Sequence, residues 1–375
     1  MVPLTSSVAT LAMTWLLALA GNAQALSSKQ QQLSKPAPPG RFPLSYKAAA
    51  LIAKAKDLDP GLRSDTRSRG RYFSVGWSNR LGTVLTPVAV LENDENEETA
   101  AACVYTADRP FYWNKIDVGC RMTVVQLPNQ KDDTFDLWVH SPVELDDELR
   151  ASLAKLGTVK YVVSPNYEHL KYAHQWSVEY PDAYMWGCPG LMEKLPDIEW
   201  EGEILVSALN KKKNQDNFEA HDDKSPSYKN CWDFNTIVPL HVDCEVNPFT
   251  GKPFFNEVIF YHQPSKSLIT TDLYWNYPQN NGIPNSHLSS SNDSGPWELA
   301  PSVEKVPIGS KLWKQGMDKI YKPFYQKYMV QNKDRYSEMV DVILNEWDIE
   351  TLVPAHGDLV RGRDVAPVLR DHLLL

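Results

Sequence analysis

A chain of 375 residues, 42% hydrophobic and 23% charged, is long enough to bury a sizeable core in one large domain or at most two. This composition excludes a disordered tail, a collagen-like repeat and a small disulfide scaffold. Of its 38 bases, six stand within residues 1–56, ahead of the first acid, Asp57; the other 32 face 47 acids, a balance that repels a phosphate backbone and argues against a nucleic-acid partner.

Val8 to Ala20 is an apolar run of about 13 residues, short of the roughly 20 that span a bilayer, and Ala23-Gln24-Ala25 offers small residues for cleavage. Residues 1–25 therefore read as a signal peptide into the secretory pathway, with no stable membrane span expected in the mature chain. Residues 26–102 read as a transit segment and N-terminal extension. The acid-free stretch Leu26 to Lys56 suits a plastid as a second-step destination, with a plain linker as the alternative. Five separated cysteines make no C-x-x-C pair and no disulfide framework; one or two bridges remain open, and burial is the expected role of Cys188.

Strand-like composition starts near Cys103, and Leu91 to Thr99 ahead of it is an acidic loop. Arg121 to Leu127 and Thr134 to His140 read as antiparallel strands. A helix is expected next, capped by Ser141-Pro142, with Leu145, Leu149 and Leu153 on one face and Gly157 as its stop. Lys160 to Ser164 is a strand, Leu170 to Tyr180 a helix ended by Pro181, and Ala183 to Trp186 another strand. Residues 210–253, polar and with little periodicity, read as an insertion or lid. Glu257 to His262 and Ser267 to Thr271 form a hairpin across Gln263-Pro264-Ser265-Lys266. Tyr336, Met339, Val340, Ile343, Leu344 and Trp347 mark an amphipathic helix, Thr351 to Pro354 a last strand and Arg363 to Leu373 a last helix. Paired strands followed by strands alternating with helices imply a layered α/β sandwich.

Three metal-capable residues each stand just past a strand: His169 after Tyr161 to Ser164, Asp272 after Ser267 to Thr271, and His356 after Thr351 to Ala355. Strand ends in α/β sheets are where loops gather ligands. Two imidazoles and a carboxylate suit zinc, manganese or iron, and without a cysteine in the set no soft thiolate site is implied.

The stretches Arg121 to Val125, Leu137 to Pro142, Pro165 to His169, Tyr180 to Ala183, Pro189 to Leu191, Glu257 to His262 and Leu268 to Leu273 carry a resemblance over roughly residues 110–280. They resemble the metallo-β-lactamase-like superfamily and, within it, the family known as domain of unknown function 4336. His356-Gly357 is similar to the superfamily's terminal histidine loop. The resemblance implies a four-layer αββα sandwich over residues 103–375, with a metal site at one edge. Where active dinuclear members carry H-x-H-x-D-H, this chain reads Asn166-Tyr167-Glu168-His169-Leu170-Lys171, and neither His241 nor His262 is a clear counterpart of the middle histidine. His169, Asp272 and His356 carry over, with Glu168 as a fourth candidate, which implies one divalent metal rather than two.

Asn166, Tyr167 and Lys171 are candidate substrate-binding residues in this loop, and Tyr172 and Trp176 beside it line either a pocket or the core. His221-Asp222-Asp223 in the insertion reads as a solvated loop. The expected function is a divergent metal-dependent hydrolase of a small ester, thioester or phosphoester. The alternative is a catalytically silent binding or assembly module on the same fold.

Overall fold

The structure is a computed structural model that describes residues 85–90, 102–109, 111–113, 116–129, 134–210, 228–277 and 308–374. The expected signal peptide, most of the N-terminal extension with its acidic loop Leu91 to Thr99, and His221-Asp222-Asp223 lie outside the described residues.

Seven strands form the first sheet: β1 (Thr86–Val90), β2 (Ala102–Arg109), β5 (Cys120–Pro128), β6 (Phe135–His140), β7 (Thr158–Ser164), β8 (Tyr184–Gly187) and β9 (Gly202–Glu203), neighbours in that order. Pairing is antiparallel from β1 to β6 and parallel from β6 to β9. The short strands β3 (Tyr112–Trp113) and β4 (Ile116–Asp117) form a separate ribbon. The second sheet runs β10 (Ile237–His241), β11 (Val258–His262), β12 (Ser267–Asn276), β13 (Thr351–Gly357) and β14 (Val360–Arg361), with only β12 and β13 parallel.

Side chains alternate across both sheets, as the two-residue period of a strand requires. Val125, Trp138 and Val163 face inward and meet Phe260, Ile269 and Val353 of the second sheet. Their chain neighbours Val124, Leu137, Val139 and Val162 face outward, under Leu149 and Leu153 of α1 (Asp147–Leu156) and Trp176 of α2 (Ala173–Glu179). On the far side Ile259, Leu268 and Leu352 pack beneath α5 (Lys333–Asp341) and α6 (Val365–Leu373), through Tyr336, Met339, Leu369 and Leu373. Three apolar layers thus separate four layers of structure, and the expected αββα sandwich is present. Burial on both faces explains why these strands read as nearly continuous apolar runs. Trp138 ties the sheets together, its ring edge-on to Phe260 at a centroid distance of 4.9 Å.

Several local expectations are corrected. The first helix is capped by Asp146, whose carboxylate accepts from the Leu149 N–H at 2.8 Å, not by Ser141. Ser141 instead turns the chain sharply, with a φ of 54°. β1 adds a strand ahead of the expected start at Cys103, paired to β2. Within the polar stretch 210–253, residues 211–227 lie outside the described residues, while Ile237–His241 is a regular edge strand. β12 continues five residues beyond Thr271, so Asp272 lies within a strand rather than past its end. The short helix α3 (Leu191–Lys194) follows β8. A helix absent from the sequence reading begins with α4 (Ile308–Gly316) and stays helical to Met329 through a short α turn at Lys322–Phe324 flanked by wider turns. Pro323 lies in that run and lacks an N–H to donate, and wider turns on either side accommodate it. No two cysteines are joined by a disulfide, and Cys188 is buried as expected. Among the described residues no helix is long and apolar enough to cross a membrane.

Candidate metal centre

The parallel pairs β6–β7 and β12–β13 bring the loop after β7, the middle of β12 and the end of β13 to one edge of the sandwich. His169, Asp272 and His356 meet there, their donor atoms all within 4.8 Å of one another. His169 Nε2 lies 3.2 Å from His356 Nε2 and 3.3 Å from Asp272 Oδ2, and His356 Nε2 lies 3.5 Å from Asp272 Oδ1. Donors held 2.0–2.2 Å from one tetrahedral ion are ~3.3–3.6 Å apart; the two imidazoles are near that spacing from each other, and each is near it from a different oxygen of the Asp272 carboxylate, a set that a single small divalent cation could bridge.

Each donor is oriented from behind. Nδ1 of His356 donates to the Gly119 carbonyl at 2.7 Å, which leaves a lone pair on Nε2 of the neutral ring. Nδ1 of His169 is hydrogen-bonded to Ser141 Oγ at 2.7 Å, with Cys120 Sγ at 3.5 Å. Phe111 stacks on His169, centroids 5.8 Å apart, and Tyr277 on His356 at 6.3 Å. Asp272 Oδ2 accepts from the Asn166 amide at 2.6 Å. Asn166 Oδ1 in turn accepts from the N–H groups of Glu168 (3.0 Å) and His169 (2.8 Å), closing the turn that presents His169.

The electrostatics match a cation-seeking site. Burial alone would raise the Asp272 pKa, but His169 and His356 hold it well below the ordinary carboxylate range. Burial opposes charge on His169, and Cys120 and Asp272 outweigh it, so this ring holds a proton more tightly than an ordinary histidine. Burial and then the Asp272 carboxylate push the Glu168 carboxyl up to about 7. The same two causes push buried Glu257 up to about 7.

Of the residues singled out in the sequence, three converge and the others do not join them. Glu168 is half-buried and outside the converging set. Asn166 is fully buried, its amide engaged by Asp272 and Thr271. Tyr167 donates its hydroxyl to the Pro189 carbonyl at 2.9 Å, with the Lys194 ammonium 3.7 Å above its ring. Lys171 is exposed and lies over the rings of Phe111 (5.6 Å) and Tyr172 (5.2 Å). Trp176 belongs to the core, its indole N–H donating to the Val143 carbonyl at 2.7 Å. His241 is hydrogen-bonded to Asn256 Oδ1 at 2.9 Å, away from the donor set.

Sequence reasoning missed Ser141, Gly119 and Glu257. The last accepts three consecutive backbone N–H groups around Asp272: Thr271 at 2.5 Å, Asp272 at 2.9 Å and Leu273 at 2.7 Å. A lone acid opening an apolar strand was the only signal for it.

The family described as Domain of unknown function (DUF4336) matches residues 102–290, a span that includes His169 and Asp272 and ends before His356. None of the curated proteins matches the chain. Solved structures similar to it include a metallo-beta-lactamase from Hirschia baltica, at 9% identity over 76% of this chain and 96% of that one, with a TM-score of 0.38. The metal-soaked Flv1 flavodiiron core from Synechocystis sp. PCC6803 is 13% identical over 77% of this chain and 60% of that one, with a TM-score of 0.41. The mono-zinc form of the metallo-beta-lactamase FIM-1 from Pseudomonas aeruginosa is 10% identical over 77% and 97%, with a TM-score of 0.36.

Proposed function

The chain belongs to the DUF4336 family, and from that premise we propose that it is a metal-dependent hydrolase of a small ester, thioester or phosphoester, holding one zinc, iron or manganese ion. The observation that carries the reading is the spacing of 3.2, 3.3 and 3.5 Å among His169, Asp272 and His356. A divalent ion there would supply Lewis-acid polarisation of the scissile group and an activated water near neutral pH. The protein's part is orientation. The Gly119 carbonyl and Ser141 hydroxyl fix the two ring directions, Asn166 turns the Asp272 carboxylate, and Phe111 and Tyr277 cover the flanks of the imidazoles.

The competing reading, a catalytically silent binding module, is favoured by one observation. His169 and His356 are only 4% and 6% exposed, and the Asp272 side chain, at 16%, is the most open of the three. Both readings are tested by assaying the full chain, loaded with each metal in turn, on p-nitrophenyl acetate, an acyl thioester and bis-p-nitrophenyl phosphate. Turnover of one class that a chelator abolishes, that the metal restores and that His356→Ala lacks supports the hydrolase. Tight metal binding with no turnover of any class supports the silent module and overturns the hydrolase.

A further inference from the structure

We propose that Glu257 is the positioning residue of this centre: its carboxylate holds the bulge in β12 that delivers Asp272 to the two imidazoles. The inference rests on the metal reading above and adds a residue that none of the three ligands implies. Thr270 pairs with Pro354 and Trp275 with His356, so β12 carries three more residues than β13 across the same interval. Extra residues in a bulge lose their ladder partners, and buried backbone N–H groups must find an acceptor elsewhere. Here Thr271, Asp272 and Leu273 all donate to the Glu257 side chain, which is buried immediately ahead of β11.

A carboxylate suits this position because it only accepts, with two oxygens and about four lone-pair sites for three converging donors. Asp272 is the middle residue of the three. Its direction is therefore set by the same group that satisfies the bulge, while Asn166 fixes the carboxylate itself. Continued in regular register from Thr270 and Pro354, β12 would set Asp272 in the ladder opposite His356; the bulge takes it out of that ladder, and there its carboxylate reaches both imidazoles. An amide at position 257 would present its NH2 to at least one of the three donors, so even an isosteric change disturbs the bulge.

Glu245 separates this role from mere burial of an acid. It too is a buried glutamate whose oxygen accepts two backbone N–H groups, Phe255 at 2.7 Å and Asn256 at 3.0 Å, but it touches no ligand.

The test is a cobalt(II) titration of the full chain, followed by visible absorption, for the wild type, Glu257→Gln, Glu257→Ala and Glu245→Gln. Melting of each apo form and amide hydrogen exchange at residues 271–273 are measured alongside. Glu257→Gln is expected to weaken cobalt binding by about 10- to 100-fold and to alter the d–d bands as the carboxylate ligand leaves. It should also speed exchange at Thr271, Asp272 and Leu273, while Glu245→Gln changes none of these. A folded Glu257→Gln with wild-type affinity and bands overturns the proposal, as does an equal loss in Glu245→Gln. If the wild type takes up no cobalt, the metal reading itself falls; unchanged exchange at residues 271–273 in Glu257→Gln then overturns the role of Glu257 separately.

Discussion

The Nε2 atoms of His169 and His356 stand 3.2 Å apart although 187 residues separate the two histidines in the chain. Because Nδ1 of His356 donates to the Gly119 carbonyl, Nε2 of the neutral ring presents a lone pair to the other ring, an arrangement that a shared cation or proton relieves. One ion per chain is therefore expected in protein purified without chelator, as measured by elemental analysis. His356→Ala should reduce it below detection while a cooperative thermal transition persists. Two tightly held ions would mean that further residues are recruited, and the site as drawn would be wrong.

Gly357 decides whether β13 can place His356 at all. Its φ is +88°, and a Cβ there would stand 2.2 Å from the backbone carbonyl of Asn276, its partner in β12. Gly357→Ala combines a strained backbone with a clash against main chain that cannot yield, for a cost of about 3 kcal/mol or more. A clear drop in the melting temperature is expected, together with weaker metal binding. A variant as stable as the wild type would show that the close approach of β13 to β12 is not required.

The sandwich was legible wherever burial left a local signature. Val124-Val125 and Leu137-Trp138-Val139 fill both faces of one sheet, and the hairpin around Pro264 joins two strands of the other, so short runs of sequence carried the pattern. The three ligands were legible from the strands they adjoin, although Asp272 and His356 lie within β12 and β13 rather than past their ends. Their supports were not, because each acts across a large distance in the chain: Ser141 on His169, Gly119 on His356, Glu257 on Asp272. Ser141-Pro142 matched a helix cap locally, and only the fold shows the serine turned toward an imidazole. β10 was hidden for a related reason: it is five residues long, contains Pro239 and follows a polar stretch, so its strand character depends on pairing with β11.

Glu245 gives a pH dependence of stability with a definite sign. Burial, the largest cause, raises its carboxyl from 4.5 to about 8, against the pull of the Asn256 and Phe255 N–H groups. Between those values the unfolded chain ionises while the folded one keeps its proton. The contribution is complete below about 4.5 and is lost as the pH rises toward 8. Glu245→Gln keeps an acceptor for Phe255 and Asn256 and removes the titration. Relative to the wild type it should gain on the order of 3 kcal/mol between pH 5 and pH 8.5. Parallel urea titrations at the two pH values read the difference, and identical shifts in both proteins would refute it.

His262 works in the opposite direction. It is buried at the end of β11, its Nδ1 hydrogen-bonded to Ser265 Oγ at 2.6 Å, and burial lowers its pKa from 6.5 to about 4. The unfolded state therefore takes up a proton below pH 6.5 that the folded state refuses until about pH 4. Stability present above 6.5 is lost progressively across that window, by on the order of 3 kcal/mol for this group. His372 of α6, lowered to about 4 chiefly by burial, adds a loss of the same sign. Denaturant midpoints measured from pH 7.5 to 4.5 should fall steeply in the wild type and less steeply in His262→Gln, whose amide can still bond Ser265. Equal slopes in the two proteins would show that the folded state takes up a proton at His262 as readily as the unfolded chain does.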